Sequence, residues 1–75
     1  MDQRNRIKEL RLERQMTQVQ LAQKAGLNIR TIQKFENGER SLYTTLFSTV
    51  LKIAEALNVT VYDLLDKRTD EQTRG

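Results

Sequence analysis

The chain has no cysteine and no histidine. The first absence excludes a disulfide framework and a thiolate metal site. Together the two remove the usual zinc ligands and the commonest general base. No metal or cofactor is expected. Nor is there a glycine-rich phosphate loop or a plausible pairing of nucleophile and base. A chain of 75 residues also leaves little room for a closed pocket, so an enzyme is not expected. No apolar run approaches the roughly 18 residues of a membrane span, and no signal peptide opens the sequence. The expectation is a soluble intracellular protein. Its hydrophobic content of 37% suffices for one small core of marginal stability. No internal repeat or low-complexity segment is visible.

What is present is charge, unevenly placed. Residues 1–40 hold nine Lys or Arg against five Asp or Glu, and residues 41–75 hold four against five. A basic N-terminal half is the electrostatic footprint expected of a nucleic-acid binder. The net charge of the whole chain is +3.

Residues 18–37 organise the rest. Leu21, Ala22 and Ala25 fit one helical face, Ile32 and Phe35 recur three apart, and the phase breaks at Gly26 between the two sets. Glycine reaches positive φ without a Cβ penalty, so it can end one helix and turn the chain into the next. Ala22 and Ala25 are small enough for close helix contact, and Leu27 plugs the corner. Two helices meeting across a short glycine turn form a helix-turn-helix. The outward positions of its second helix are Asn28, Ile29, Arg30, Gln33 and Lys34.

With these residues stand Ile7-Lys8-Glu9-Leu10-Arg11 upstream, Met16-Thr17-Gln18 at the second helix and Glu36-Asn37-Gly38-Glu39-Arg40 after the third. Residues 51–59 and 61–65 follow in order. The sequence thereby resembles the Cro/cI-type, or XRE, family over about residues 4–65. The resemblance implies an all-α, five-helix lambda-repressor-like domain that binds double-stranded DNA, usually as a symmetric dimer. It also implies a cytoplasmic protein of bacterial or phage origin, nucleoid-associated when bound. Residues 1–66 are taken as the domain and 67–75 as a polar, mobile tail.

A first helix is expected over 4–14, with Ile7, Leu10, Arg11 and Arg14 on one face, and residues 1–3 frayed. Thr17 caps the second helix and Gln20 completes a capping box. Asn28 caps the third, which ends at Asn37-Gly38. Residues 38–44 form a loop. It is longer than the family's usual one and lacks the Pro-Ser that often opens the fourth helix. A fourth helix is expected over 45–57, with Phe47, Val50, Leu51, Ala54 and Leu57 as its main stripe, widened by Leu46 and Ile53. Thr60 with Asp63 caps a short fifth helix over 61–65.

The major groove admits an α-helix and shows a distinct pattern for each base pair. Arg30 can fork onto guanine, Gln33 can pair with adenine, and Ile29 can pack on a thymine methyl. Asn28 can reach a base or a phosphate, and Lys34 completes the base-reading candidates, although its late position favours phosphate. Candidates for phosphate contacts are Gln18, Gln23, Lys24, Asn37 and Arg40. Gln18 lies in a first turn where free N–H groups favour an anion. The resemblance further implies a partly buried ion pair between Arg11 and Glu36.

A dimer of two reading helices would mark an inverted-repeat operator, and the partner would be a second copy. Its contact is expected around Val61, Tyr62 and Leu65, with Leu46 or Leu12 as additions. The alternative function is a protein-interaction module of the same fold, an antitoxin or co-regulator, with DNA binding secondary.

Overall fold

Four α-helices and two short 3-10 turns make up the computed structural model, which describes residues 5–65. The helices are α1 (Ile7–Glu13), α2 (Gln18–Ala25), α3 (Ile29–Glu36) and α4 (Phe47–Leu57). The 3-10 turns are Leu42–Thr44 and Tyr62–Leu64. No helix among the described residues is long and apolar enough to cross a membrane. The readings made for residues 1–4 and 66–75, frayed end and tail included, lie outside the described residues.

Local chemistry starts the helices. The Thr17 hydroxyl accepts from the Gln20 N–H at 3.0 Å, and the Gln20 side chain accepts from the Thr17 N–H at 2.8 Å. This reciprocal box satisfies two donors at the head of α2. The Asn28 side chain caps α3 by accepting from the Arg30 N–H at 2.8 Å. For α4 no side chain plays that part. Its entry is set by the preceding loop, where Ser41 Oγ accepts from the Tyr43 N–H and its carbonyl accepts from the Thr45 hydroxyl. The helix consequently begins at Phe47 rather than at residue 45.

All four helices stop in the same way. The residues with positive φ among those described are Gln15, Gly26, Gly38 and Asn58, one just beyond each helix. At each, two backbone N–H groups turn back onto carbonyls of the last helical turn. Leu27 N–H, for example, reaches the Ala22 carbonyl at 2.8 Å, and Val59 N–H reaches that of Ala54 at 2.9 Å. The next residue then closes the corner. Met16, Leu27 and Val59 do so by packing on the core. After α3 that position is Glu39, which is exposed.

The core joins Ile7 and Leu10 of α1, Leu21, Ala22 and Ala25 of α2, and Ile32 and Phe35 of α3 to Leu42, Leu64 and the inner face of α4. On α4 that face is Val50, Ile53, Ala54, Ala56 and Leu57. Phe47 and Leu51, expected in the stripe, are exposed instead. Val50, Ile53, Ala54 and Leu57 already recur at helical spacing and fill the available width.

The two ends of the described chain meet. Arg6 N–H donates to the Leu64 carbonyl at 2.7 Å, and Asn5 pairs antiparallel with Leu65. The Asn5 side chain also donates to the Phe35 carbonyl at 3.0 Å and accepts from the Ile7 N–H at 3.0 Å. These commitments hold residues 5 and 6 out of α1, which is shorter than expected. They also keep Leu65 extended, so the expected fifth helix is a single 3-10 turn. The Thr60–Asp63 cap is present there, at 3.0 and 3.2 Å. The Glu9 carboxylate, hydrogen-bonded to Arg6, holds that guanidinium above its ordinary pKa.

Candidate nucleic-acid interface

α3 is held from behind and open in front. Ile32 and Phe35 are buried on its inner side, while Arg30, Gln33 and Lys34 are exposed on its outer side. α2 packs on α3 and on α4, so the presenting surface has a rigid backing. Asn28 is exposed at the head of the helix, but its side-chain oxygen is engaged in capping. Its amide nitrogen is the group available to a ligand. Ile29 is placed differently from expectation: it is half-buried against the core. An apolar side chain gains more there than in water.

Beneath this surface lies a charged cluster. Arg11 donates from Nε and Nη2 to Glu36 Oε2 and Oε1 at 2.8 and 3.1 Å, and from Nη1 to the Met16 carbonyl at 2.8 Å. The two side chains are only 9% and 2% exposed. Desolvation of such a pair is offset by bidentate geometry and by filling the remaining donors and acceptors. Gln18 completes it, donating from Nε2 to Glu36 Oε1 at 3.0 Å. Gln18 Oε1 in turn accepts a long contact from Gln33 Nε2, 3.5 Å away. No buried side-chain nitrogen or oxygen lacks a partner among the described residues. The cluster therefore ties α1, α2 and α3 together, with one thread reaching the outer face through Gln33.

The loop after α3 adds a cationic cleft. Lys34, Glu39, Arg40, Ser41 and Thr44 line about 490 Å³. Arg40 lies over the Phe35 ring, 5.9 Å from its centroid, and its N–H donates to the Lys34 carbonyl at 3.2 Å. Asn37 is exposed beside the cleft, donating to Glu39 at 3.3 Å. Ser41 and Thr44 were not among the candidates read from the sequence. Their signal was present, as hydroxyls one and four residues after the basic Arg40. Gln23 and Lys24 stand elsewhere. They line a groove of about 760 Å³ with Arg14, Met16 and the end of α4, and no residue of α3 borders it.

The helix-turn-helix family model matches residues 7–64. The chain belongs to the XRE-family helix-turn-helix proteins. A solved structure of the restriction-modification controller protein C.AhdI from Aeromonas hydrophila is similar to it, with 32% identity and a TM-score of 0.71. The match covers 80% of this chain and 86% of that one. No curated protein sequence matches significantly. The chain is a DNA-binding transcription regulator, all-α in the described residues.

Among the described residues Arg30, Lys34 and Arg40 make no ion pair, unlike Arg6, Arg11 and Arg14. Unneutralised cations on one side of the molecule are what phosphate attraction requires. Arg40 is steadied by the ring beneath it.

Proposed function

We propose that the chain is a transcriptional repressor that binds double-stranded DNA as a homodimer on an inverted-repeat operator, with α3 in the major groove. The observation that carries this reading is the outer face of α3, where Arg30, Gln33 and Lys34 are exposed together and backed by a fixed ion-pair cluster. Arg30 reads guanine, Gln33 reads adenine, and Asn28 contributes its amide nitrogen. Lys34 and Arg40, with the Ser41 and Thr44 hydroxyls, hold phosphates across the cleft. Asn37 assists from the end of α3. Gln18 acts from the head of α2, where the helix terminus favours an anion. Gln23 and Lys24, facing another groove, are the weakest of the phosphate candidates.

One helix reads roughly four or five base pairs, and a two-fold pair places two such helices about 34 Å apart on one face of the duplex. A dimer therefore doubles the site without a second domain. The role is regulatory rather than catalytic, with no cofactor, and its place is the cytoplasm of a bacterium or of a phage-infected cell. The likeness to a restriction-modification controller favours a restriction-modification gene pair as the regulated target.

Fluorescence anisotropy on random duplex DNA at several salt concentrations tests the binding mode. The expected result is binding that weakens steeply and linearly in log–log form as salt rises. Absence of duplex binding at low salt would instead support the protein-interaction role.

A further inference from the structure

The longest uncharged run in the chain is 41–51, eleven residues in a sequence that is 31% charged. The same segment carries the most exposed apolar side chains. Leu46 and Phe47 are 76% and 65% exposed, Leu51 is 38% exposed, and Tyr43 stands exposed on the 3-10 turn before them. Phe47 and Leu51 lie one turn apart on α4 and so are neighbours on one face. Thr44, Thr45 and Ser48 occupy positions between these apolar residues. Single exposed apolar residues need no explanation. A charge-free group of them containing aromatic rings has the composition of an interface centre.

We propose that this face, centred on Leu46, Phe47 and Leu51, is where a second copy of the chain docks across a two-fold axis. The proposal rests on the dimeric reading above and gives that dimer its contact surface. In a two-fold contact, residues near the axis meet their own copies, so a charge there faces its like. The run 41–51 brings no charge of its own to such a contact, and Arg40 stands at its margin beside Leu46. A different partner would gain specificity from complementary charge, and this run offers none to complement. The four apolar residues, at these exposures, present about 400–500 Å² per copy. That is half or more of the roughly 800 Å² per partner of a stable interface.

Position agrees with composition. Leu46 shares a cleft of about 290 Å³ with Arg40, Thr44, Thr45 and Thr49, so the apolar face adjoins the cationic loop that follows α3. At 61–65, by contrast, Val61 and Leu65 are half-buried against the chain's own core, and Tyr62 alone is exposed. That segment has little apolar surface left to bury in a partner.

Sedimentation equilibrium of the full chain separates the possibilities, with Phe47→Glu, Leu46→Lys and Tyr62→Glu compared with wild type and helical content followed by circular dichroism. Wild type is expected at twice the 8.8 kDa chain mass. Phe47→Glu and Leu46→Lys should keep their helix content and weaken dimerisation by at least about tenfold, as substitutions at an interface centre do. Tyr62→Glu should stay within about twofold of wild type. Leu46 is the more exposed site and decides the matter if Phe47→Glu unfolds. A folded Leu46→Lys or Phe47→Glu chain that dimerises like wild type overturns the proposed face and leaves the dimer intact. A wild-type monomer overturns the dimer itself.

Discussion

Gln18 Nε2 and Glu36 Oε1 are 3.0 Å apart, which joins the first residue of α2 to the last residue of α3. The same carboxylate oxygen receives Arg11 Nη2 at 3.1 Å. One buried acid thus fixes the angle of the helix-turn-helix and anchors it to α1. The reading helix is presented as part of a rigid block. A block of this kind loses less entropy when it docks than a helix that must first be oriented.

The ion pair itself should be coupled. Arg11→Met is expected to destabilise the fold by roughly 3 kcal/mol, because Glu36 is left buried without its cation. Adding Glu36→Leu should recover much of that loss. Urea titrations of the two single variants and the double variant measure the coupling. Strictly additive effects would show that the pair contributes nothing as a pair.

Gln18 has two roles that one substitution separates. Gln18→Ala removes one donor to Glu36 and should cost about 1 kcal/mol of stability. It should also weaken binding to every duplex alike, since a phosphate contact carries no sequence information. A change confined to one base pair of the preferred site would instead place Gln18 among the base readers, acting through its contact with Gln33.

The helix ends make opposite predictions at two positions. Gly26 has a φ of 70°, and a Cβ built there meets nothing within 4 Å. Gly26→Ala should therefore cost about 1–2 kcal/mol from backbone conformation alone. Gln15 has a φ of 57° without being glycine. Gln15→Gly should stabilise by about 0.5–1 kcal/mol, the relief of strain being reduced by the added freedom of the unfolded chain. Thermal unfolding of both variants reads the two signs. Equal signs would contradict this account of the corners.

Much of this architecture is legible in the sequence because it is local. Thr17 with Gln20, Asn28, Gly26, Gly38 and Thr60 with Asp63 each act within a few residues of themselves, and each does what its chemistry suggests. The misplaced elements depend on distant partners. Nothing near Asn5 announces that residues 35 and 65 will hold it out of α1. Helical periodicity pairs Phe47 with Leu51, but it does not say that Val50, Ile53 and Leu57 will take the core side. For the reading face, Arg30, Gln33 and Lys34 follow from helical phase once the inner side is known. Ile29 follows less well, because a residue at a helix start can lean either way. Gln23 and Lys24 are exposed as expected, yet which groove they border is set by the end of α4, more than thirty residues further along the sequence.

In vitro selection from a random duplex library, run with wild type and Arg30→Ala side by side, tests whether α3 reads the major groove. Wild type should enrich an inverted repeat with half-sites spaced by about one helical turn. Arg30→Ala should lose about 1–3 kcal/mol on that site and relax the preference at one base pair in each half, leaving the other positions unchanged. Failure to enrich any motif, or an identical motif from the variant, would contradict the assignment of α3 as the reading helix.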